Sequence, residues 1–338
     1  MCRVTLAEFD RLLLDQYRVV IVDKAKLPNP LTLRGMLQLE AALAKDLQKG
    51  SRSIRQQAIK ALMQIGAQAH TITEMTAVDQ LEIENKVKTV VARYGINLEK
   101  IAIPILEDHF LKTDKLVRKN LALSQQAEEL KDLPAFNVQN QGALKGLANQ
   151  QRLFIYKQYD ENISQQVSKA MIDNMAEQGG SAAQVARSLA RDVGGAFVSA
   201  DEEYLKIVAT NNMNTARSYS ALSSYWEVGI VRYSILVVDD ERTSQVCKNL
   251  IGKTFEVQKA LQVYDNMMKA QTYDEMVASR PFLQDEMKNG QPTGAMFIKQ
   301  GQEKIYFDQD TMASDLAKFG IMFPPFHHRC RTTIIADV

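Results

Sequence analysis

Cysteine is scarce in this chain: three among 338 residues, at Cys2, Cys247 and Cys330. So sparse and odd a set excludes a disulfide framework. No apolar run nears the ~18 residues of a membrane span; the longest stretches include Val19–Val22 and Ile101–Leu106. No membrane partner is therefore expected. The N-terminal residues show no basic segment leading into a long apolar core, so no secretory signal is expected. That points to maturation in a cytoplasm-like compartment. Neither sign of charge dominates, since 41 Lys+Arg meet 40 Asp+Glu and the net charge is +1. A global attraction to nucleic acid is thereby excluded. Walker A, G-x-G-x-x-G, H-E-x-x-H and G-x-S-x-G patterns are all absent, and so are repeats of 20–50 residues.

What remains is an ordinary globular composition, 46% hydrophobic and 24% charged, long enough for two or three domains at ~150 residues each. The first 230 residues read as helix. Leu37, Leu39, Leu43 and Leu47 share a helical face that Gly50 is expected to end. Ser53 is expected to cap a second helix reaching Gly66, and Asp79 to open a third ending at Gly95. A fourth starts near Pro104 and runs past Leu116 toward Leu130. Leu133-Pro134 marks a boundary. A long helix follows over residues 150–177, then a short one from Ser181 to Gly194-Gly195. Ser199-Ala-Asp-Glu202 reads as a capping box opening a helix to Glu227.

The pattern changes at Ile230. Residues 230–238 (IVRYSILVV) are dense in β-branched side chains and read as a strand. Thr254–Val257 is a second candidate strand, Lys304–Phe307 a third and Thr332–Ala336 the last. Residues 258–288 read as helical, interrupted at Pro281, and Thr311 is expected to cap a helix ending at Gly320. The expected fold is therefore helix-rich α+β. Residues 1–135 form a helical N-terminal region, 136–229 a helical segment, and 230–338 a small α+β domain with a few strands.

Two polar clusters flank strands of that last domain. One holds Asp239, Asp240, Arg242, Thr243, Ser244 and Cys247. The other holds Pro324, Pro325, His327, His328, Cys330 and Arg331. A fold that pairs those strands brings the clusters together. Cys247, His327 and Cys330 are the soft and borderline donors zinc prefers, with Asp240 or His328 as a fourth. The spacing matches no standard zinc signature. Against this stands a plain polar clasp. In it both cysteines are small buried hydrophobes, Asp240 caps a helix, and Arg242 and Arg331 bond carboxylates. A nucleophilic cysteine paired with His327 is a further reading, but no oxyanion or substrate feature accompanies it. Met267, Met268, Met276 and Met287 suit packing, His70 and His109 ordinary helix positions, and Lys112–Lys119 a solvated helix face.

These residues carry a resemblance. Asp240-Glu-Arg242-Thr243, Cys247, Leu250-Ile-Gly252 and Pro324-Pro325-Phe-His327-His-Arg-Cys330-Arg331 resemble the paired motifs of the phage Mu F-like family, the head morphogenesis or minor capsid proteins. Ala209-Thr210, Asn214-Thr-Ala216 and the run from Tyr225 to Gly229 have the family's look, so the resemblance covers roughly residues 180–338. Thr332 stands where the family often has a further cysteine, and residues 258–303 resemble an insertion. The resemblance implies a non-enzymatic virion component, in the capsid interior after assembly in the host cytoplasm. Its implied partners are the portal protein and the capsid interior, with double-stranded DNA as a further contact during genome packaging or delivery. It makes Asp240, Arg242, Thr243, Gly252, Pro325 and Arg331 structural motif residues. Two other functions compete. One is a metal-dependent hydrolase or nuclease built on the Cys/His/Asp cluster. The other is a DNA-binding protein ejected with the genome, using residues 1–120, which hold 19 basic and 14 acidic side chains.

Overall fold

The computed structural model describes residues 28–69, 76–122, 157–176, 182–237, 243–328 and 330–337, with residues 146, 150, 152, 153 and 155 besides. The molecule is a helix-rich α+β protein, as expected. Long helices come first: α1 (Leu33–Ala69), α2 (Ala77–Ala122), a π-helical turn (Gln158–Ile163) continuing into α3 (Ser164–Ala176), and α4 (Ala182–Glu227). Then follow β1 (Arg232–Leu236), α5 (Gln245–Leu250), β2 (Thr254–Glu256), α6 (Val257–Lys269) and α7 (Tyr273–Ser279). Next come β3 (Gln284–Lys288), β4 (Gln291–Gln300), β5 (Glu303–Phe307), α8 (Ala313–Ala317) and β6 (Thr333–Ala336). Among the described residues no helix is long and apolar enough to cross a membrane.

Several expected breaks are not breaks. Gly50 lies inside α1, Gly95 and Pro104 inside α2, and Gly194-Gly195 and Ser199 inside α4. The reason is packing. A Cβ on Gly50 would stand 2.9 Å from Ile101 Cγ2, and one on Gly95 2.9 Å from Tyr159 Cβ. These glycines let another element approach a continuous helix; they do not end it. The boundary at Leu133-Pro134 and the stop at Gly179-Gly180 lie outside the described residues.

Two compact units form, each from discontinuous segments. In the first (43–106 and 151–208), Leu43, Leu62, Val87, Val91, Leu98, Val167 and Leu205 make an apolar interior. Within it Tyr94, Tyr159, Phe197 and Tyr204 pack edge-on or tilted around the buried Asp201. The Tyr94 hydroxyl donates to Asp201 Oδ1 at 2.7 Å, and Tyr159 donates to the same oxygen. Arg55 Nε lies 3.4 Å from Asp201 Oδ2 and its Nη1 bonds Glu202.

In the second unit (1–42, 107–150 and 209–338) one apolar core joins Phe110, Val117 and Leu121 of α2 to Ala216, Tyr219, Leu222 and Tyr225 of α4. It extends through Tyr233, Ile235, Leu250, Phe255, Tyr264, Phe323 and Ile334. Its strands form two antiparallel three-stranded sheets, β2-β1-β6 and β3-β4-β5. β3 replaces the tail of an expected helix, and β4 was not expected at all. Asn289-Gly290 explains both. Each residue has positive φ, 53° and 77°, which is the two-residue hairpin turn that Asn-Gly favours. Thr311 does not cap α8: the N-cap position falls on Met312, which makes no side-chain cap bond, and the Thr311 hydroxyl donates instead to Asp308. The basic run Lys112–Lys119 is also divided: its lysines are exposed, but Arg118 turns inward to Asp114 and Glu227.

Candidate functional site

β1 pairs antiparallel with β6 in the register Tyr233↔Ala336 to Leu236↔Thr333. The chain leaving β1 and the chain entering β6 therefore lie at one end of the sheet. The first runs into α5, whose N-cap is Ser244 and not Asp240: the Ser244 Oγ accepts from Cys247 N at 3.2 Å. This fixes Cys247 in the first turn of α5. The helix ends at Gly252, whose φ of +70° a residue with a side chain rarely adopts. Gly252 N then bonds Ile235 O at 3.0 Å and returns the chain to the sheet. The second segment contains the Pro324–Pro325 pair, joined by a cis peptide. It is held by Leu283 N on Phe326 O, 2.8 Å, and by Arg280, whose guanidinium donates to Pro325 O.

Three donor atoms meet there. Cys247 Sγ is 3.0 Å from His327 Nε2 and 3.8 Å from Cys330 Sγ, and the three ligand atoms all lie within 4.8 Å of one another. Both cysteines are free thiols, at 3% and 0% exposure, while His327 is half-buried. The backbone oxygen of His328 can only accept, so His327 Nδ1 donates to it at 2.7 Å. Nε2 is thereby turned to the thiols and to Ser244 Oγ, 2.9 Å away. Thr332 Oγ1 donates to Cys247 Sγ at 3.0 Å.

The thiols share charge unequally. The contact with Cys330 pushes the Cys247 thiol well above its ordinary value, and burial adds to this. Burial alone would raise Cys330 too, but bonds from Cys247 and His327 hold it well below the usual thiol range. Burial disfavours the charged His327 ring, yet its bond to Cys330 and that thiolate's charge prevail, so its pKa is raised.

Helix α4 backs the cluster with polar groups buried in the protein. Asn214 Nδ2 donates to Cys330 O at 2.5 Å, and Arg217 Nη2 donates to Thr332 O at 2.6 Å and to Asn214 Oδ1 at 2.8 Å. Glu40 on α1 belongs to the same neighbourhood. Burial pushes its pKa up to about 7, against the opposing charge of Arg217 and a hydrogen bond from Thr210. From the other sheet, Asp285 Oδ1 accepts from Val246 N at 2.7 Å.

Of the expected site residues, Cys247, His327 and Cys330 come together. His328 turns elsewhere: its Nδ1 is 3.3 Å from Asn211 Nδ2 and its ring packs on Phe282. Arg331 reaches Thr243 Oγ1 at 3.5 Å. Asp240 and Arg242 lie outside the described residues. Arg217 and Glu40 were not anticipated. For Arg217 the signal is Asn211, Asn214 and Arg217 at intervals of three along one helix, which puts them on one face; nothing in the sequence marks Glu40. Chemically, two thiols and an imidazole suit a soft or borderline cation. A thiolate beside an imidazole is also the pairing of a nucleophilic cysteine, but here the thiolate has no exposed surface on which to meet a substrate. No family model, no curated protein and no solved structure matches the chain.

Proposed function

We propose that the chain is a phage minor head protein of the Mu F-like kind, carried in the virion interior and docked at the portal. The observation that supports this is the meeting of the paired motifs. Cys247 and the Pro324–Arg331 segment are separated by some eighty residues and share one buried cluster. Thr243, Leu250, Gly252 and Pro325 surround it with turns and packing. Residues that family resemblance selects thus have a joint structural task. The task is architectural: the cluster closes a sheet, and its thiols are buried. The helical remainder supplies the docking surface.

The test is the composition of particles. Mass spectrometry of purified virions of the phage encoding the chain should find it, and co-expression with the portal protein should co-purify the two. Particles free of the chain, together with a portal that does not retain it, would overturn the proposal. A DNA contact by residues 1–120 would show as duplex retention that weakens steeply with salt.

A further inference from the structure

We infer that Cys247, His327 and Cys330 bind one zinc ion with three protein donors and a tetrahedral geometry. The inference stands on local geometry and does not depend on the virion reading. With zinc–sulfur bonds of about 2.3 Å and an angle of about 109°, two thiolates on one zinc stand about 3.8 Å apart. Cys247 Sγ and Cys330 Sγ are 3.8 Å apart. A thiolate and an imidazole nitrogen on one zinc stand about 3.6 Å apart. Cys247 Sγ and His327 Nε2 are 3.0 Å apart, so the ring must retreat by about 0.6 Å. His327 is half-buried and sits on a turn, which leaves it room to do so.

The surroundings match those of a metal ligand set. A ligating histidine holds its tautomer by donating its other ring N–H to a carbonyl or carboxylate, and His327 Nδ1 does so to His328 O. A ligating thiolate gains from a hydroxyl donor, and Thr332 Oγ1 supplies one to Cys247. Asn214 and Arg217 fix the backbone at Cys330 and just after it, through the carbonyls of Cys330 and Thr332. The donor set also discriminates. Magnesium and calcium require oxygen ligands, whereas sulfur with imidazole suits zinc and excludes those two. The fourth donor is not His328, which is committed elsewhere.

The experiment uses the full-length chain purified under reducing conditions without chelator. Metal analysis should give about one zinc per chain. Cobalt(II) exchanged for zinc should show sulfur-to-cobalt charge transfer in the near ultraviolet and the intense visible bands of a four-coordinate ion. Thr332→Val keeps the volume and removes the hydroxyl, and should weaken zinc binding about tenfold without altering the circular dichroism. Cys330→Ser should lose both zinc and the charge-transfer band. A folded, reduced wild-type chain that takes up neither zinc nor cobalt would overturn the inference. So would full zinc retention in Cys330→Ser, which would put the ion elsewhere, or equimolar iron in place of zinc. None of these readouts involves a virion, so failure here leaves the minor head proposal standing, and the reverse holds too.

Discussion

Arg118 shows how far one side chain can depart from its local sequence. It sits in a run of lysines, yet its guanidinium is buried against Asp114 at 3.2 Å and Glu227 at 2.9 Å, with Ser223 as a further acceptor. Removing a buried partner strands the opposite charge, so Arg118→Ala should destabilise the protein by about 3–5 kcal/mol in urea denaturation. Arg118→Lys keeps the charge and loses the fork, and should recover only part of that. Asp201 makes a pH-dependent prediction. Burial raises its pKa, against the bonds from Tyr159 and Tyr94 and the charge of Arg55. A raised pKa means that the folded state holds the proton more tightly. The contribution is therefore full below the unfolded carboxyl value and is lost as pH rises through the folded one. Denaturation at a series of pH values should show wild-type stability falling with pH across that window, and Asp201→Asn should flatten the slope. The donor trio was legible at this scale because Cys and His are rare here and their chemistry is narrow. Arg217 and Glu40 were not, because a polar side chain on a helix reads as solvated until its neighbours are known.

Helices and strands were legible where side chains alone determine them. β1, β2, β5 and β6 follow from β-branched and aromatic runs, and the helical stripes follow from their period. Ends were not legible where a glycine serves another element. Gly50 and Gly95 separate the two cases. Against Gly50 stand Ile101 Cγ2 at 2.9 Å, a methyl on a β-branched carbon, and Ile105 Cδ1 at 3.0 Å, a side-chain tip. Only the second shifts freely, so overpacking should outweigh the helix-propensity gain of about 1 kcal/mol and Gly50→Ala should destabilise by about 1 kcal/mol. Against Gly95 stand the Cβ and Cγ of Tyr159, 2.9 and 3.2 Å away, held by a buried ring. Gly95→Ala should therefore destabilise by about 1–3 kcal/mol, read as a fall in Tm. At the α5 start, Ser244→Ala removes the cap on Cys247 N and should cost about 1 kcal/mol. The β3–β4 hairpin escaped notice because Gln284–Lys288 is polar and rich in helix formers, and only Asn289-Gly290 announces it.

Over the whole molecule, the C-terminal residues do not own their core. Phe110, Val117 and Leu121 of α2, and Ala216, Leu222 and Tyr225 of α4, share it with β1, β6 and α6. A fragment of residues 230–338 should accordingly expose apolar surface. It is expected to bind the dye ANS and lack a cooperative thermal transition, whereas the full chain should melt cooperatively. No linear reading reveals such sharing, because α2 lies more than a hundred residues from the strands it packs with. The same pairing has a bearing on how the protein is made. β1 can meet β2 as soon as the intervening residues emerge, since Ser234 lies opposite Thr254. Its other edge must wait for β6, roughly 100 residues later, which at ribosomal speed is about 5–20 s. Through that interval a hydrophobic strand with an open edge stands beside the growing chain, exposed to neighbours on the same messenger. Translation at high ribosome density is therefore where this protein is most in need of a chaperone.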